Sequence, residues 1–194
     1  MLNYGIIKII LGGEFMIYFV RHGETDYNVK GIAQGQLDIP LNQAGRNDAT
    51  VLSGVLEDYE FDAIYCSPLV RAKETAEIIN KKHDVEIIFD DRLKEFNAGQ
   101  RQGTTLEEWG EEREKDFMVN PEKYGAESNL EFYTRCAAAY DDIPKDKNVL
   151  IVAHGGVYKN IYRHINGIKD LTAKVSLPGN CSVIEVTPNT NAME

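Results

Sequence analysis

Positive charge is scarce in this chain. Lys and Arg number 21 against 31 Asp and Glu, a formal net charge of -10 at pH 7. Nucleic acid and anionic membrane surfaces are bound by an excess of Lys and Arg, so both are excluded as expected partners. Cysteine is scarce as well. Cys66, Cys136 and Cys181 are odd in number, widely spaced and without a CxxC pair. That pattern indicates neither a disulfide framework nor a cysteine zinc site, and it fits a reducing cytoplasm. Long apolar runs are missing. Ile6 to Leu11 is interrupted by Lys8 and is far shorter than a membrane span, and it lacks the basic start and cleavage site of a secretory signal. There is also no GxxxxGK[ST] phosphate loop, no HExxH and no Asp/Asn-rich calcium loop, so no metal or other cofactor is called for.

What is present is the composition of a folded protein. With 194 residues, 43% hydrophobic and 27% charged, the chain suits one domain with a self-sufficient core. The expected organisation is a single domain over residues 16–194, preceded by an extension over residues 1–15. Gly12-Gly13-Glu14 before Phe15-Met16 fits purine-rich codons of a ribosome-binding site, with Met16 as the true start. The other reading of this segment is an extra strand or arm at a sheet edge. Thr187 to Glu194 reads as a solvated tail.

Apolar, β-branched runs at Ile17–Val20, Ala63–Cys66, Val85–Phe89, Val149–Ala153 and Ser182–Val186 have strand length. Helical patterns lie between them at Gln43–Glu57, Leu69–Lys82, Thr105–Phe117, Leu130–Asp142 and Val157–Ile165. This alternation predicts an α/β fold, a three-layer α/β/α arrangement around a mostly parallel sheet. Asn42 is placed to cap one helix, and Ser67-Pro68 to cap the helix that carries Arg71 in its first turn.

The first strand empties into Arg21-His22-Gly23. Strand ends in α/β folds are where ligands bind, and glycine there lets backbone approach a phosphate. Arg71 follows the second strand, and His154-Gly155-Gly156 follows the fourth. A phosphate monoester carries a charge of about -2 and wants directional donors. Arg21 and Arg71 supply guanidinium forks for its oxygens, with Asn28 completing the cradle. Neutral histidine is a suitable nucleophile at phosphorus, and His22 is the expected one.

In order along the chain stand Arg21-His22-Gly23-Glu24-Thr25, Gln34-Gly35-Gln36-Leu37-Asp38, Ser67-Pro68-Leu69-Val70-Arg71-Ala72, Leu93-Lys94-Glu95-Phe96-Asn97 and His154-Gly155-Gly156. This order resembles the histidine phosphatase superfamily, the phosphoglycerate mutase-like family, from Met16 to about Val186. The resemblance implies that His22 is phosphorylated and that Glu95 is the acid, selected from the neighbouring carboxylates Asp90, Asp91 and Glu95. It implies that His154, set in place by Gly155, stabilises the transferring phosphoryl group, and that Gln34 and Gly35 skirt the ligand.

The function that follows is metal-independent hydrolysis of a small phosphorylated metabolite through a phosphohistidine. Phosphoglycerate mutase is the alternative within the family, and a silent phosphate-binding module the alternative from another class. Hydrolysis is preferred because the segment after Glu95 is short and acidic and lacks a basic insertion. Arg101 is a candidate for a second anionic group of the substrate, and Gln100 with Gln102 for a polar pocket. Trp109 reads as a buried anchor, Glu127, Ser128 and Arg135 as a buttress, and His83 and His164 as structural or solvent-facing. The role of Thr25 is open between loop geometry and substrate. The fold admits a homodimer, but no residue marks an interface.

Overall fold

The computed structural model describes residues 15–186. Phe15 apart, the expectations for the N-terminal extension and for the tail lie outside the described residues. The strands are β1 (Ile17–Arg21), β2 (Ala63–Cys66), β3 (Glu86–Phe89), β4 (Val149–Ala153) and β5 (Val183–Glu185). They form one sheet in the order β3-β2-β4-β1-β5. The first four are parallel, and β5 closes one edge antiparallel to β1.

Among the described residues seven α-helices accompany the sheet: α1 (Asp26–Val29), α2 (Gln43–Val55), α3 (Val70–Asn80), α4 (Leu106–Trp109), α5 (Glu111–Val119), α6 (Asn129–Asp141) and α7 (Gly155–Ile165). The central strand β4 is buried throughout, and its alternation sorts the layers. Val149, Ile151 and Ala153 face a core built with α6 and α7, through Phe132, Cys136, Tyr140, Val157 and Ile161. Leu150 and Val152 face α2 and α3, through Ala49, Leu52, Ala72, Ala76 and Ile79. A strand buried on both faces needs such a continuous apolar run.

Three local expectations change. Helix α1 carries no buried residue, so no apolar periodicity announces it; a Thr25 capping box with Asn28 starts it. The expected helix over Thr105–Phe117 is divided at Gly110, whose φ of 89° ends α4 and starts α5. Trp109, Phe117 and Tyr124 then gather with Ala98 into a satellite core, and Trp109 is the buried anchor expected.

The third change concerns the start of α3. Its N-cap is Leu69, with no side-chain cap, while the Val70 N–H donates to the Asp38 carboxylate at 2.7 Å. Ser67 is shared: its hydroxyl accepts from the Leu69 N–H at 3.3 Å and makes a 2.7 Å hydrogen bond with His154 Nε2. Arg71 still falls in the first turn.

Candidate active site

Sheet register brings the chemistry to one rim. Arg21 pairs with Ala153 and Cys66 with Val152, so β1, β2 and β4 end level with one another. The His22 N–H donates to the Ala153 carbonyl (2.9 Å) and the Ser67 N–H to the Val152 carbonyl (3.0 Å), carrying the pairing one residue past each strand. Gly23 is needed for a reason other than phosphate approach. A Cβ there would lie 2.7 Å from the Gly45 carbonyl oxygen, so the loop packs directly on α2.

A cavity of about 260 Å³ opens at this rim, lined by Arg21, His22, Asn28, Gln34, Gly35, Arg71 and Glu95. Its remaining wall is apolar: Ile32, Phe96 and Ala98. His154 and Gly155 do not line it. His154 is fully buried, with its ring centroid 5.2 Å from that of His22, and Gly155 is covered by Leu177. A wider hollow of about 800 Å³ lies along Glu127, Leu130 and Arg135, but that guanidinium is committed to internal bonds. The smaller cavity holds the convergent polar groups.

The His22 tautomer is set by its own loop. Nδ1 lies 2.7 Å from the Gly23 carbonyl, which can only accept, so the proton sits on Nδ1 and Nε2 keeps its lone pair. Burial, with Arg71 and Arg21 adding, pushes the His22 pKa down to about 3. Burial and Arg71 likewise hold His154 well below the usual histidine range. Both rings are therefore neutral in the folded protein near pH 7.

Each guanidinium is anchored by backbone and leaves a donor over. Arg71 donates from Nη1 to the Leu37 carbonyl (2.8 Å) and from Nη2 to the Gly35 carbonyl (2.7 Å). Burial lowers its pKa to about 10, which leaves it charged at pH 7. Arg21 donates from Nη1 to the Pro178 carbonyl (2.9 Å). Arg21 Nε, Arg71 Nε and His154 Nδ1 are buried polar atoms with no protein partner. Such atoms are rare in folded proteins, and the two arginine nitrogens, on side chains that line the cavity, suit an anion with several acceptor oxygens.

Thr25 resolves as a loop organiser. It is fully buried, its N–H donates to Asn28 Oδ1 (3.1 Å), and its hydroxyl lies 3.0 Å from both Asn28 Oδ1 and Gln34 Oε1. Its oxygen is fixed in this way, and Asn28 lines the cavity.

Glu95 accepts from the Phe96 N–H through Oε1 (2.8 Å) and from the Gly156 N–H through Oε2 (3.0 Å). A Cβ on Gly156 would lie 2.2 Å from Glu95 Oε1, so glycine is required for this approach. Asp90 and Asp91 turn to Arg92 and Lys94 instead. Arg135 stands behind the Glu95 segment, donating to the carbonyls of Arg92 (2.7 Å), Lys94 (2.6 Å) and Glu95 (2.9 Å) while paired with Glu127. The buttress expected of Glu127 and Arg135 thus holds the carboxylate's own loop. Ser128 caps α6.

Other expectations change. Arg101 is buried and spent on Glu114 (2.9 Å) and on the Thr104 carbonyl and hydroxyl, so it offers nothing to a substrate. Gln102 accepts from the Gln36 N–H, and neither Gln100 nor Gln102 lines the cavity. His164 pairs with Asp141 and His83 packs on Phe61, both away from the site. Sequence reasoning missed Asn180, whose Nδ2 donates to the His22 carbonyl (2.7 Å) from 158 residues away, and Pro178 beside Arg21. No local signal marks either. Among the described residues no three His, Cys, Asp or Glu side chains gather as a metal site.

The two buried histidines predict an acid-labile fold. Unfolded, each takes a proton near pH 6.5; folded, His22 takes one only near pH 3. The unfolded chain therefore binds more protons across that window, and stability falls as pH drops through it. The slope is about 1.4 kcal/mol per pH unit for each histidine. Urea unfolding should shift to lower denaturant between pH 6.5 and 5.5, with proton uptake on unfolding rising from about one to nearly two across that range. An unchanged midpoint would show that the rings are already charged or exposed in the folded state.

Comparison with known proteins agrees with this geometry. The sequence profile of the histidine phosphatase superfamily (branch 1) matches residues 17–194. PhoE of Bacillus subtilis, described as an uncharacterized phosphatase, is 37% identical over 153 residues, 78% of this chain and 77% of its own. GpmB of Shigella boydii, described as a probable phosphoglycerate mutase, is 33% identical over 179 residues, 88% of this chain and 83% of its own. A mycobacterial glucosyl-3-phosphoglycerate phosphatase, solved in complex with VO3, superposes with a TM-score of 0.77 at 27% identity, covering 88% of this chain and 90% of its own. With Arg21, His22 and Arg71 gathered around one cavity at the rim of a mostly parallel sheet, the chain belongs to branch 1 of the histidine phosphatase superfamily and is a phosphomonoesterase.

Proposed function

We propose that the protein hydrolyses a small phosphorylated metabolite without a metal ion, through a phosphohistidine on His22. The observation that carries this reading is the free Nε2 of His22, fixed by its Nδ1 bond, in one cavity with two guanidinium groups and the Glu95 carboxyl. In the first step Nε2 attacks phosphorus and the bond to the ester oxygen breaks. Glu95 passes a proton to that oxygen as it leaves. In the second step water attacks phosphorus, its proton goes to Glu95, the P–N bond breaks and phosphate departs. Arg21, Arg71, Asn28 and Gln34 hold the phosphoryl oxygens throughout, and fixed donors of this kind supply much of the barrier lowering.

His154 acts from beneath the cavity. Its Ser67 bond fixes the ring, and Gly155 opens α7 directly after it. The mycobacterial neighbour binds VO3, an oxyanion of the kind this cradle suits. Hydrolysis is favoured over transfer to a second hydroxyl because Arg101, the basic residue best placed by sequence for a second anionic group, is committed to Glu114.

Residues 16–194 are read as the one catalytic domain. Among the described residues no helix is long and apolar enough to cross a membrane. The three thiols are buried and unpaired, which suits the reducing cytoplasm.

The test uses p-nitrophenyl phosphate and 3-phosphoglycerate separately, with EDTA present. The expected result is phosphate release undiminished by the chelator and no 2-phosphoglycerate. Isomerisation with little free phosphate would replace hydrolysis by the mutase reaction, and loss of all turnover with EDTA would overturn the metal-free scheme.

A further inference from the structure

The phosphoryl end of the cavity and its far wall differ in kind. Among the described residues the cations that line it are Arg21 and Arg71, and the Glu95 carboxyl lies beside them. A phosphate monoester dianion takes up both guanidinium groups. Beyond them the wall is Ile32, Phe96 and Ala98. Phe96 packs against the Phe132 ring at 5.4 Å and the Phe117 ring at 6.2 Å, which supports it at the wall.

The cations on neighbouring segments are already engaged or point elsewhere. Arg101 is tied to Glu114, Arg135 to Glu127 and to three backbone carbonyls, and Lys94 to Asp91 (3.0 Å). Lys30 is exposed and does not line the cavity. With Asn28 and Gln34 engaged on the phosphoryl group, a carboxylate or second phosphate on the substrate would therefore find no further cation among the described residues, only the Glu95 carboxyl and the apolar wall. Desolvating an unpaired charge is costly, whereas an apolar surface there is bound by burial. At about 260 Å³ the cavity is also small beside the roughly 300 Å³ at which drug-sized sites begin.

Building on the phosphatase reading, we infer that the substrate is a monoester with a small, uncharged body that presents an apolar face to Phe96 and Ile32, and that a second anionic group is rejected. This separates the protein from enzymes that act on phosphorylated acids. Ile32 and Phe96 are its specificity-determining residues. The inference concerns recognition, so it is testable by binding as well as by turnover.

Benzyl phosphate, glycerol 1-phosphate and 3-phosphoglycerate all release an alkoxide, so their differences report the body and not the leaving group. The expected kcat/KM falls in that order, with benzyl phosphate at least about tenfold above 3-phosphoglycerate, a difference of about 1.4 kcal/mol. Ile32→Lys places an ammonium at a half-buried position of the wall, and should shift the ratio of the two at least about tenfold towards 3-phosphoglycerate. Equal or preferred use of 3-phosphoglycerate by the unaltered protein, or no shift in a folded Ile32→Lys variant, overturns the inference.

Calorimetry with benzylphosphonate and phosphonoacetate separates this from the catalytic reading. If none of the esters turns over yet benzylphosphonate binds at least about tenfold tighter, hydrolysis fails and the recognition holds. Equal or tighter binding of phosphonoacetate overturns it whether or not the esters are cleaved.

Discussion

His22→Ala should leave a folded protein whose turnover of p-nitrophenyl phosphate is lower by a factor on the order of 10⁴ or more. The size follows from the role. Without a nitrogen nucleophile at the end of β1, phosphoryl transfer must proceed by direct attack of water in a cavity arranged for a ring nitrogen. His154 cannot take over, because it is fully buried and does not line the cavity. The structural cost is smaller. The ring makes one hydrogen bond, to the Gly23 carbonyl, and its loss is worth about 1 kcal/mol. The loop itself is held by the Gly23 N–H to Thr75 and by Asn180 to the His22 carbonyl, bonds that alanine does not remove. Steady-state rates, a circular dichroism spectrum and an alkaline quench for acid-labile phosphoprotein check the three parts. Activity within tenfold of the parent, or phosphoprotein still formed in the variant, would take the nucleophile away from this residue.

Arg71 should be nearly as costly to change, and its effect should divide between chemistry and stability. Its side chain is 1% exposed and spans two elements, from α3 to the carbonyls of Gly35 and Leu37. Alanine removes a charged fork from the phosphoryl group and also orphans two carbonyls, at about 1–3 kcal/mol for each buried group left unsatisfied. Gly35 and Gln34 then lose their fixed place at the cavity mouth. We expect kcat/KM to fall by a factor on the order of 10³ and the melting temperature to fall with it.

Arg71→Lys makes the argument sharper. Lysine keeps the charge but cannot donate from a planar fork to two carbonyls and a phosphoryl oxygen together. It should recover at most about a tenth of the lost activity. A lysine variant as active as the parent would mean that a point charge suffices and that the fork geometry is irrelevant.

Much of this molecule is written in short stretches of chain. Continuous β-branched runs such as Val149 to Ala153 specify doubly buried strands, and each expected strand is present within a residue of its ends. Asn42 caps α2 as its position foretold, accepting from the Gly45 N–H at 2.8 Å. The clustering of Arg21, His22 and Arg71 at one rim was legible too. Parallel strands joined by helices present their carboxyl ends on the same side, so residues that follow β1 and β2 must meet.

What only the tertiary structure decided are the pairings across the chain. Ser67 reads locally as a helix cap, yet besides the Leu69 N–H it bonds His154, 87 residues on, while Asp38 from another loop meets the Val70 N–H. Arg101 reads as a free cation, yet Glu114 claims it once Gly110 breaks the helix between them. Asn180 holds His22 in place without any neighbouring residue that announces it, and Arg135, expected only as a buttress, is seen to hold the carbonyls of the Glu95 segment. Sequence by itself determined the strands, the helices α2, α3, α6 and α7 and the polar residues that meet at the rim, because backbone propensity and side-chain period act over a few residues. Folding alone decided which donors remain free and which wall faces the substrate, because each hydrogen bond depends on what packs beside it from far along the chain.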